Sequence, residues 1–270
     1  MPYAEARGTK LFYEDVGSGE PTLLFLHGWC CDHTTFAPQL EHFRERHRVV
    51  APDLRGHGRS EKPEGPYTME TLADDVAQLA RALGLRQAVV LGHSMGGLVA
   101  LSLAAREPEL VAAVVTLDSP ILPPPEVRAT LEELARRFRG ADFPDAQRSL
   151  VSDRLFLPTD EPEIRERVSR IMLSAPQHVA AAAFEGIAAF DHESAVQALR
   201  VPWLALFASE PPTDIASLRL RVPHVMVGRT VGAGHFHQLV VPDQVHAMVE
   251  RFLRVSGLLG RELVRSRGLG

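Results

Sequence analysis

Short apolar runs alternate with helical patterns along the first third of the chain. Strands are predicted at residues 11–16, 22–26, 48–51, 88–91 and 111–117, and helices at residues 35–46, 69–83 and 97–106. The helix at residues 69–83 is amphipathic, since its apolar residues fall on one face, and Gly84 follows its end. Regular alternation of strands and helices is typical of a parallel sheet with crossover helices. The pattern therefore predicts an α/β fold.

The alternation breaks at a proline-rich connector that cannot continue a strand, Pro120 and the three prolines of residues 123–125. Helices are then predicted at residues 126–138, 146–155, 164–173 and 178–190, strands at residues 203–207 and 225–227, and a helix at residues 242–255. We therefore predict an α/β core of residues 1–119 and 191–257, an inserted helical cap (lid) of residues 120–190, and a tail of residues 258–270 with Arg261, Arg265 and Arg267.

Composition and charge narrow the possible partners and the compartment. Hydrophobic residues make up 45% of the 270 residues and charged residues 23%, which is typical of a globular protein. The net charge of −5 is spread along the chain, so we expect no nucleic-acid partner. The chain contains neither a signal-peptide pattern nor an apolar run of membrane-spanning length, and we expect a cytoplasmic protein without a membrane partner. The pattern gives no oligomeric state.

The two cysteines, Cys30 and Cys31, are adjacent in sequence. Disulfide geometry requires the two Cα atoms to lie further apart than one peptide bond allows. We therefore expect no disulfide, and we expect both thiols to be buried as small apolar groups.

The strongest candidate for chemistry is Ser94, in the turn Gly92-His93-Ser94-Met95-Gly96 between a predicted strand and a predicted helix. Where a strand reverses directly into a helix, the serine takes a strained conformation with its hydroxyl exposed, and the glycines allow the two segments to pass closely. The helix N-terminus also directs backbone N–H groups at a developing oxyanion. This pattern predicts a nucleophilic serine.

A serine hydroxyl needs a base to accept its proton. His235 is the best candidate, because it lies in a glycine-rich loop after the last predicted strand and before the last helix. His237 is two residues away, but no Cys, His or carboxylate cluster accompanies the pair. We therefore expect no metal site, and we expect His237 to be a surface or supporting residue.

Four motifs in this order resemble the α/β-hydrolase superfamily, especially its esterase-like members with a helical cap. They are Leu26-His27-Gly28-Trp29, Asp53-Leu54-Arg55-Gly56-His57-Gly58-Arg59-Ser60, Gly92-His93-Ser94-Met95-Gly96-Gly97 and Gly232-Ala233-Gly234-His235. The resemblance covers almost all of residues 10–255. It implies an α/β-hydrolase fold, a mostly parallel twisted sheet with helices on both faces, and no cofactor.

The resemblance leaves the acidic member of the catalytic triad open between three residues. Many relatives have an aspartate in a loop after the strand that follows the cap, but proline occupies that position here, in Ala208-Ser209-Glu210-Pro211-Pro212. A second known arrangement places the acid at the end of the strand after the nucleophile's helix, where this chain has Asp118. That position lies at the carboxyl edge of the sheet, where ligands bind. We predict Asp118 as the acid, with Glu210 and Asp214 as alternatives.

The resemblance also implies an oxyanion hole formed by the backbone N–H groups of Trp29 and Met95. Trp29 and His93 are the predicted substrate-binding residues, although the Trp29 side chain could equally pack in the core. Phe138, Met172 and Phe184 are expected to line an apolar pocket under the cap, although each could equally belong to the core of the cap.

These residues predict a carboxylesterase-like serine hydrolase acting on a small-molecule ester. A second resemblance is to the cofactor-free dioxygenases that open 3-hydroxy-4-quinolone rings. It rests on Gly28-Trp29-Cys30-Cys31-Asp32-His33, the early acid and residues 207–212, although that family has a histidine at position 31 and does not usually have the full Gly-x-Ser-x-Gly motif. A C–C bond hydrolase and a non-catalytic ligand receptor on the same fold are further alternatives.

Overall fold

The computed structural model describes residues 2–259. The predicted tail residues Arg261, Arg265 and Arg267 lie outside this range. The strands are β1 (Tyr3–Ala6), β2 (Thr9–Val16), β3 (Leu23–Leu26), β4 (Val49–Pro52), β5 (Ala88–His93), β6 (Val111–Leu117), β7 (Trp203–Phe207) and β8 (Met226–Arg229). The helices are a 3-10 turn (His33–Phe36), α1 (Ala37–Phe43), α2 (Met69–Ala82), α3 (Met95–Arg106), α4 (Pro125–Arg139), α5 (Phe143–Arg154), α6 (Pro162–Leu173), α7 (Gln177–Ala188), α8 (His192–Ala198), α9 (Ile215–Arg221), α10 (His237–Val240) and α11 (Pro242–Val255).

The strands form one sheet in the order β1-β2-β4-β3-β5-β6-β7-β8. The pairs β1–β2 and β2–β4 are antiparallel, and every later pair is parallel. This mostly parallel sheet with crossover helices confirms the predicted α/β-hydrolase fold.

Alternate residues of the parallel strands divide the core into two layers. Leu23, Phe25, Val89 and Leu91 pack with α1 and α11 on one face of the sheet. Leu24, Leu26 and Val90 pack with α2, α3 and the helices between β6 and β7 on the other face. A strand that is covered on both faces is apolar at every position. This explains why these strands appear in the sequence as continuous apolar runs.

Five helices, α4 to α8, lie between β6 and β7. The last of them, α8, packs against α3 and so belongs with the sheet. We call residues 125–188, which hold α4 to α7, the cap. The exact division of the chain into core and cap remains a prediction.

The structure corrects several predicted elements. The predicted helix at residues 35–46 is a 3-10 turn followed by α1, which ends at Phe43. The sequence pattern missed β1, α8, α9 and α10, which have four to seven residues each. Within residues 2–259, no helix is both long and apolar enough to cross a membrane.

Candidate active site

Ser94 occupies the single residue between the end of β5 and the start of α3. Its backbone has φ 52° and ψ −117°, a region that is unusual for a residue with a side chain. Its N–H donates to the carbonyl oxygen of Leu117 at 2.8 Å, which ties the turn to the end of β6. The sharp reversal from strand to helix therefore presents the Ser94 side chain at the carboxyl edge of the sheet.

The glycines around Ser94 are required by close backbone approach. A Cβ atom on Gly92 would overlap the carbonyl group of Gly96, and one on Gly96 would overlap the carbonyl oxygen of Leu26. A Cβ atom on Gly28 would lie 2.9 Å from His93 Nδ1 and 3.3 Å from Ser94 Cβ. The loop after β3 therefore lies directly against the serine.

His235 and Asp118 form a hydrogen-bonded pair at the same edge of the sheet. The Nδ1 atom of His235 lies 2.7 Å from Oδ2 of Asp118, and the second oxygen, Oδ1, accepts from the N–H of Ala208 at 2.9 Å. The Asp118 side chain is 6% exposed and that of His235 is 17% exposed. Because Asp118 engages Nδ1, the Nε2 atom of His235 is the ring nitrogen left for a reacting group.

Ser94 and His235 line the same cavity. Within residues 2–259, the Ser94 hydroxyl has no hydrogen-bond partner. Catalytic hydrogen bonds often tighten only when a substrate binds, so this arrangement is compatible with proton transfer between the two residues.

The two alternative acids are not bonded to His235. Asp214 is the N-cap of α9, and its carboxylate accepts from the N–H of Ser217 at 3.0 Å. Glu210 is exposed and lines the cavity. Asp118 is thus the carboxylate that the fold brings to the histidine.

Of the two predicted oxyanion donors, Trp29 lies in the loop after β3 and Met95 lies at the start of α3. Met95 is the first residue of α3, so its N–H cannot donate within that helix. Within residues 2–259, neither this N–H nor that of Trp29 donates to a protein acceptor. Both N–H groups therefore lack a protein acceptor in the described part of the chain, and their role as oxyanion donors remains a prediction.

The Trp29 side chain joins the core to the cap. Its Nε1–H donates to the carbonyl oxygen of Ala180 in α7 at 2.8 Å, and its indole stacks on Phe138 at 5.1 Å. Phe184 contacts the same indole edge-on. Trp29 thus packs in the interface and also lines the cavity.

The His93 ring is fully buried, and its Nε2 donates to the carbonyl oxygen of His235 at 2.9 Å. Burial, reinforced by the neighbouring His235, lowers the pKa of His93 well below its ordinary value, so the ring is neutral. This geometry favours a role in holding the His235 loop. The direct substrate contact expected from the sequence remains a prediction.

The sequence left His237 as either a surface or a supporting residue, and the structure excludes the surface position. It is fully buried, its Nδ1 lies 2.9 Å from Thr230 Oγ1, and burial lowers its pKa to about 4. Among residues 2–259, no group of three or more His, Cys, Asp or Glu side chains could hold a metal ion.

Both cysteines are buried and free, as expected, and burial raises the pKa of each thiol well above its ordinary value.

The cavity at Ser94 has a volume of about 300 Å³. Its walls are mostly apolar and come from the loop after β3, from the cap and from the His235 loop. Met172 and Phe184 line it, as expected. Phe138 takes the alternative role of cap core, because its ring is fully buried, contacts Trp29, Phe143 and Phe184, and is not part of the cavity wall.

The sequence interpretation also missed the contacts that the cap makes with the His235 loop. The backbone N–H of His235 donates to the carbonyl oxygen of Leu155 at 3.0 Å, and Phe156 stacks on Phe236. These residues are about 80 positions apart in the chain, and no local pattern connects them.

Comparison with known proteins agrees with this fold. Residues 21–242 match the family model described as alpha/beta hydrolase fold. The chain belongs to this family, and by family it is a hydrolase.

Several relatives match nearly the whole chain. A thermophilic esterase from Thermogutta terrifontis is 30% identical, with a TM-score of 0.82 over 95% of this chain and 97% of that chain. The enol-lactonase from Burkholderia xenovorans LB400 is 27% identical, with a TM-score of 0.83 over 94% of this chain and 100% of that chain. The AB hydrolase superfamily protein YisY of Bacillus subtilis is 29% identical over 258 residues, which cover 90% of this chain and 94% of that protein.

Proposed function

We propose that this protein is a carboxylesterase that hydrolyses small-molecule esters through an acyl-enzyme on Ser94. The observation that carries the proposal is the His235–Asp118 hydrogen bond of 2.7 Å in the cavity that also holds the Ser94 hydroxyl. A serine, a histidine and an aspartate at one sheet edge form the arrangement that activates a hydroxyl nucleophile.

The first half of the reaction forms the acyl-enzyme. Ser94 Oγ attacks the ester carbonyl carbon while His235 Nε2 accepts the hydroxyl proton. The N–H groups of Met95 and Trp29 bind the oxyanion of the tetrahedral intermediate. His235 then donates its proton to the alcohol oxygen, and the carbon–oxygen bond to the alcohol breaks.

The second half releases the acid. His235 accepts a proton from a water molecule, the resulting hydroxide attacks the acyl carbon, and the bond to Ser94 Oγ breaks as the proton returns to that oxygen. Asp118 stabilises the imidazolium in both halves through its bond to Nδ1. An oxyanion donor of this kind contributes about 3 kcal/mol to transition-state stabilisation.

The cavity supports a mainly apolar acyl group. Apolar side chains such as Met172, Phe184 and Ile187 form much of its wall. Trp29, a predicted oxyanion donor, also lines the cavity. Its volume of about 300 Å³ is at the small end of the range for ligand pockets. The esterase and enol-lactonase relatives are consistent with carboxylic ester chemistry. We propose no cofactor for the reaction and a cytoplasmic location for the enzyme.

A panel of 4-nitrophenyl esters of increasing acyl chain length tests the proposal on the wild type, Ser94→Ala and Asp118→Asn. We expect turnover by the wild type, with a preference for short to medium chains, and loss of turnover in Ser94→Ala with the same melting temperature. Full activity of Ser94→Ala, or no turnover by the wild type on any ester, would overturn the proposal.

A cofactor-independent ring-cleaving dioxygenase is a second candidate, because a His–Asp pair with the acid after β6 serves there to deprotonate the substrate. A C–C bond hydrolase could use the same three residues. The position of Ser94 at the N-terminus of α3 favours acyl transfer, since the backbone N–H groups there stabilise an oxyanion. Oxygen consumption with a 3-hydroxy-4-quinolone, without ester cleavage, would favour the dioxygenase.

A further inference from the structure

Asp160 is a buried carboxylate in the connector between α5 and α6 of the cap, and it is 1% exposed. Its Oδ2 accepts from the N–H of Leu157 at 2.8 Å, within the same connector. Its Oδ1 accepts from the N–H of Gly234 at 3.2 Å, in the loop that ends in His235. The carboxylate therefore bridges the cap and the loop of the proposed catalytic base.

Burying a carboxylate is costly unless its oxygens are hydrogen-bonded. No cation lies within salt-bridge distance of Asp160 among residues 2–259, so the two backbone N–H groups are the partners of its oxygens. A carboxylate can accept on both oxygens, whereas an asparagine in the same place has one acceptor and one donor. The bridge between Leu157 and Gly234 thus requires an acid.

The loop and the connector are in close backbone contact beside this bridge. A Cβ atom on Gly234 would lie 2.8 Å from Asp160 Oδ2 and 3.0 Å from the carbonyl oxygen of Leu155. That same carbonyl oxygen accepts the N–H of His235 at 3.0 Å. Two successive N–H groups of the loop therefore donate to the cap.

The other restraints on the loop come from the core. His93 donates to the carbonyl oxygen of His235, and Ser209 Oγ donates to that of Ala233 at 2.9 Å. Asp118 holds the imidazole itself. Residues 233–235 make several hydrogen bonds within the described chain. Only one of them involves a side chain of the cap, and in that bond Asp160 accepts from Gly234.

We propose that Asp160 is a positioning residue, whose carboxylate fixes the His235 loop from the cap and so sets the imidazole relative to Ser94. The catalytic part of this inference rests on the proposed esterase function. It makes the α5–α6 connector part of the catalytic framework, so a displacement of this connector disturbs the base as well as the substrate pocket.

The test compares Asp160→Asn and Asp160→Ala with the control Asp153→Asn. Asp153 is an exposed carboxylate on α5 whose hydrogen bonds are to Ser149 and Ser152, away from the loop. The first readout is kcat and KM for an aryl ester, expressed per serine titrated with a fluorophosphonate, so that unfolded molecules are not counted. The second readout is amide hydrogen exchange at Gly234 and His235, which reports on the loop whether or not the protein hydrolyses esters.

We expect Asp160→Asn to lower kcat per titrated site about 10- to 100-fold, with KM nearly unchanged, because a misplaced base slows the chemical step. Exchange at Gly234 and His235 should accelerate about tenfold while exchange in α5 stays constant. Asp160→Ala should be at least as strongly affected, and Asp153→Asn should match the wild type in both readouts.

Two results would overturn the inference. One is unchanged exchange at Gly234 and His235 in a folded Asp160→Asn protein, which would show that the loop does not depend on the carboxylate. The other is normal kcat per titrated site with fewer titratable serines, which would make Asp160 a purely structural residue. Absence of ester turnover in the wild type would contradict the proposed function alone, and the exchange comparison would still decide whether Asp160 fixes the loop.

Discussion

The imidazole Nδ1 of His235 lies 2.7 Å from Oδ2 of Asp118, although 117 positions separate the two residues in the chain. Asp118 directly follows β6, has a positive φ of 46°, and donates its own N–H to the carbonyl oxygen of Leu206 at 2.8 Å. Asp118 is therefore held by two adjacent strands, because it follows β6 in the chain and is hydrogen-bonded to β7.

Replacing Asp118 by asparagine tests the pair. The amide keeps the size of the side chain but does not stabilise the imidazolium, and it can turn an N–H group toward the ring. We expect kcat to fall about 10⁴-fold with little change in melting temperature. The matched control is Glu210→Gln in the same cavity, which should retain kcat within about threefold. Equal losses in the two variants would contradict the assignment of Asp118.

Replacing Gly96 by alanine tests the turn around Ser94. The added methyl group overlaps the carbonyl oxygen of Leu26, which is backbone and cannot move aside. We expect the free energy of unfolding to fall by about 3 kcal/mol, measured by urea denaturation. In the control Gly140→Ala, the nearest atom is the carboxylate of Asp142, 2.9 Å away on an exposed side chain that can rotate. A Gly96→Ala protein as stable as Gly140→Ala would show that the close approach is absent in solution.

Replacing Trp29 by phenylalanine separates the role of its side chain from that of its backbone. The variant loses the Nε1–H bond to Ala180 and leaves a buried carbonyl oxygen without this donor. We expect a loss of about 1 to 2 kcal/mol in unfolding free energy. The backbone N–H remains, so turnover per titrated serine should stay within about tenfold of the wild type. Loss of turnover as complete as in Ser94→Ala would contradict this separation.

The pair formed by His33 and Asp53 predicts a pH dependence of stability. Burial favours the neutral ring, but the 2.7 Å bond to Asp53 and the nearby carboxylates outweigh it and raise the pKa of His33. Burial also disfavours the charged form of Asp53, yet His33, His27 and two backbone N–H groups lower its pKa overall.

Because the pKa of His33 is higher in the folded than in the unfolded state, the charged ring stabilises the fold fully at pH values below its unfolded-state pKa of about 6.5. This stabilisation is lost as the pH rises through the folded-state pKa of His33. We expect the difference in unfolding free energy between wild type and His33→Gln to shrink as pH rises above the unfolded-state value of about 6.5. Subtracting the variant removes the opposite contribution of buried neutral histidines such as His57, whose pKa burial lowers to about 3. A difference that is constant with pH would contradict a charged His33.

The sequence pattern predicted those features that local chemistry determines. Gly92 and Gly96 around Ser94 permit only a sharp strand-to-helix turn, and the turn lies where the pattern put it. Asp118 could be named because the family resemblance implies an acid at the end of the strand after the nucleophile's helix, a position that also lies at the carboxyl edge of the sheet. Its hydrogen bond to His235 has the geometry expected of the triad, while the catalytic roles themselves remain predictions.

Other features depend on packing between distant segments, which the pattern does not contain. Phe138 occupies a helix face that could have lined the pocket, but it stacks on Trp29. His237 is buried beneath the loop, and Asp160 meets Gly234 across 74 positions of sequence. A buried acid of this kind has no local signature, because its partners are backbone N–H groups that every residue except proline has.

The central claim, that Ser94 forms a covalent acyl-enzyme, is tested most directly by peptide mapping after acid quenching of the enzyme during turnover of a slowly deacylated aryl ester. We expect one acyl group per protein on the peptide that contains Ser94, and no adduct in Ser94→Ala. Turnover of the ester by Ser94→Ala at the wild-type rate, or an adduct on a different residue, would contradict the account.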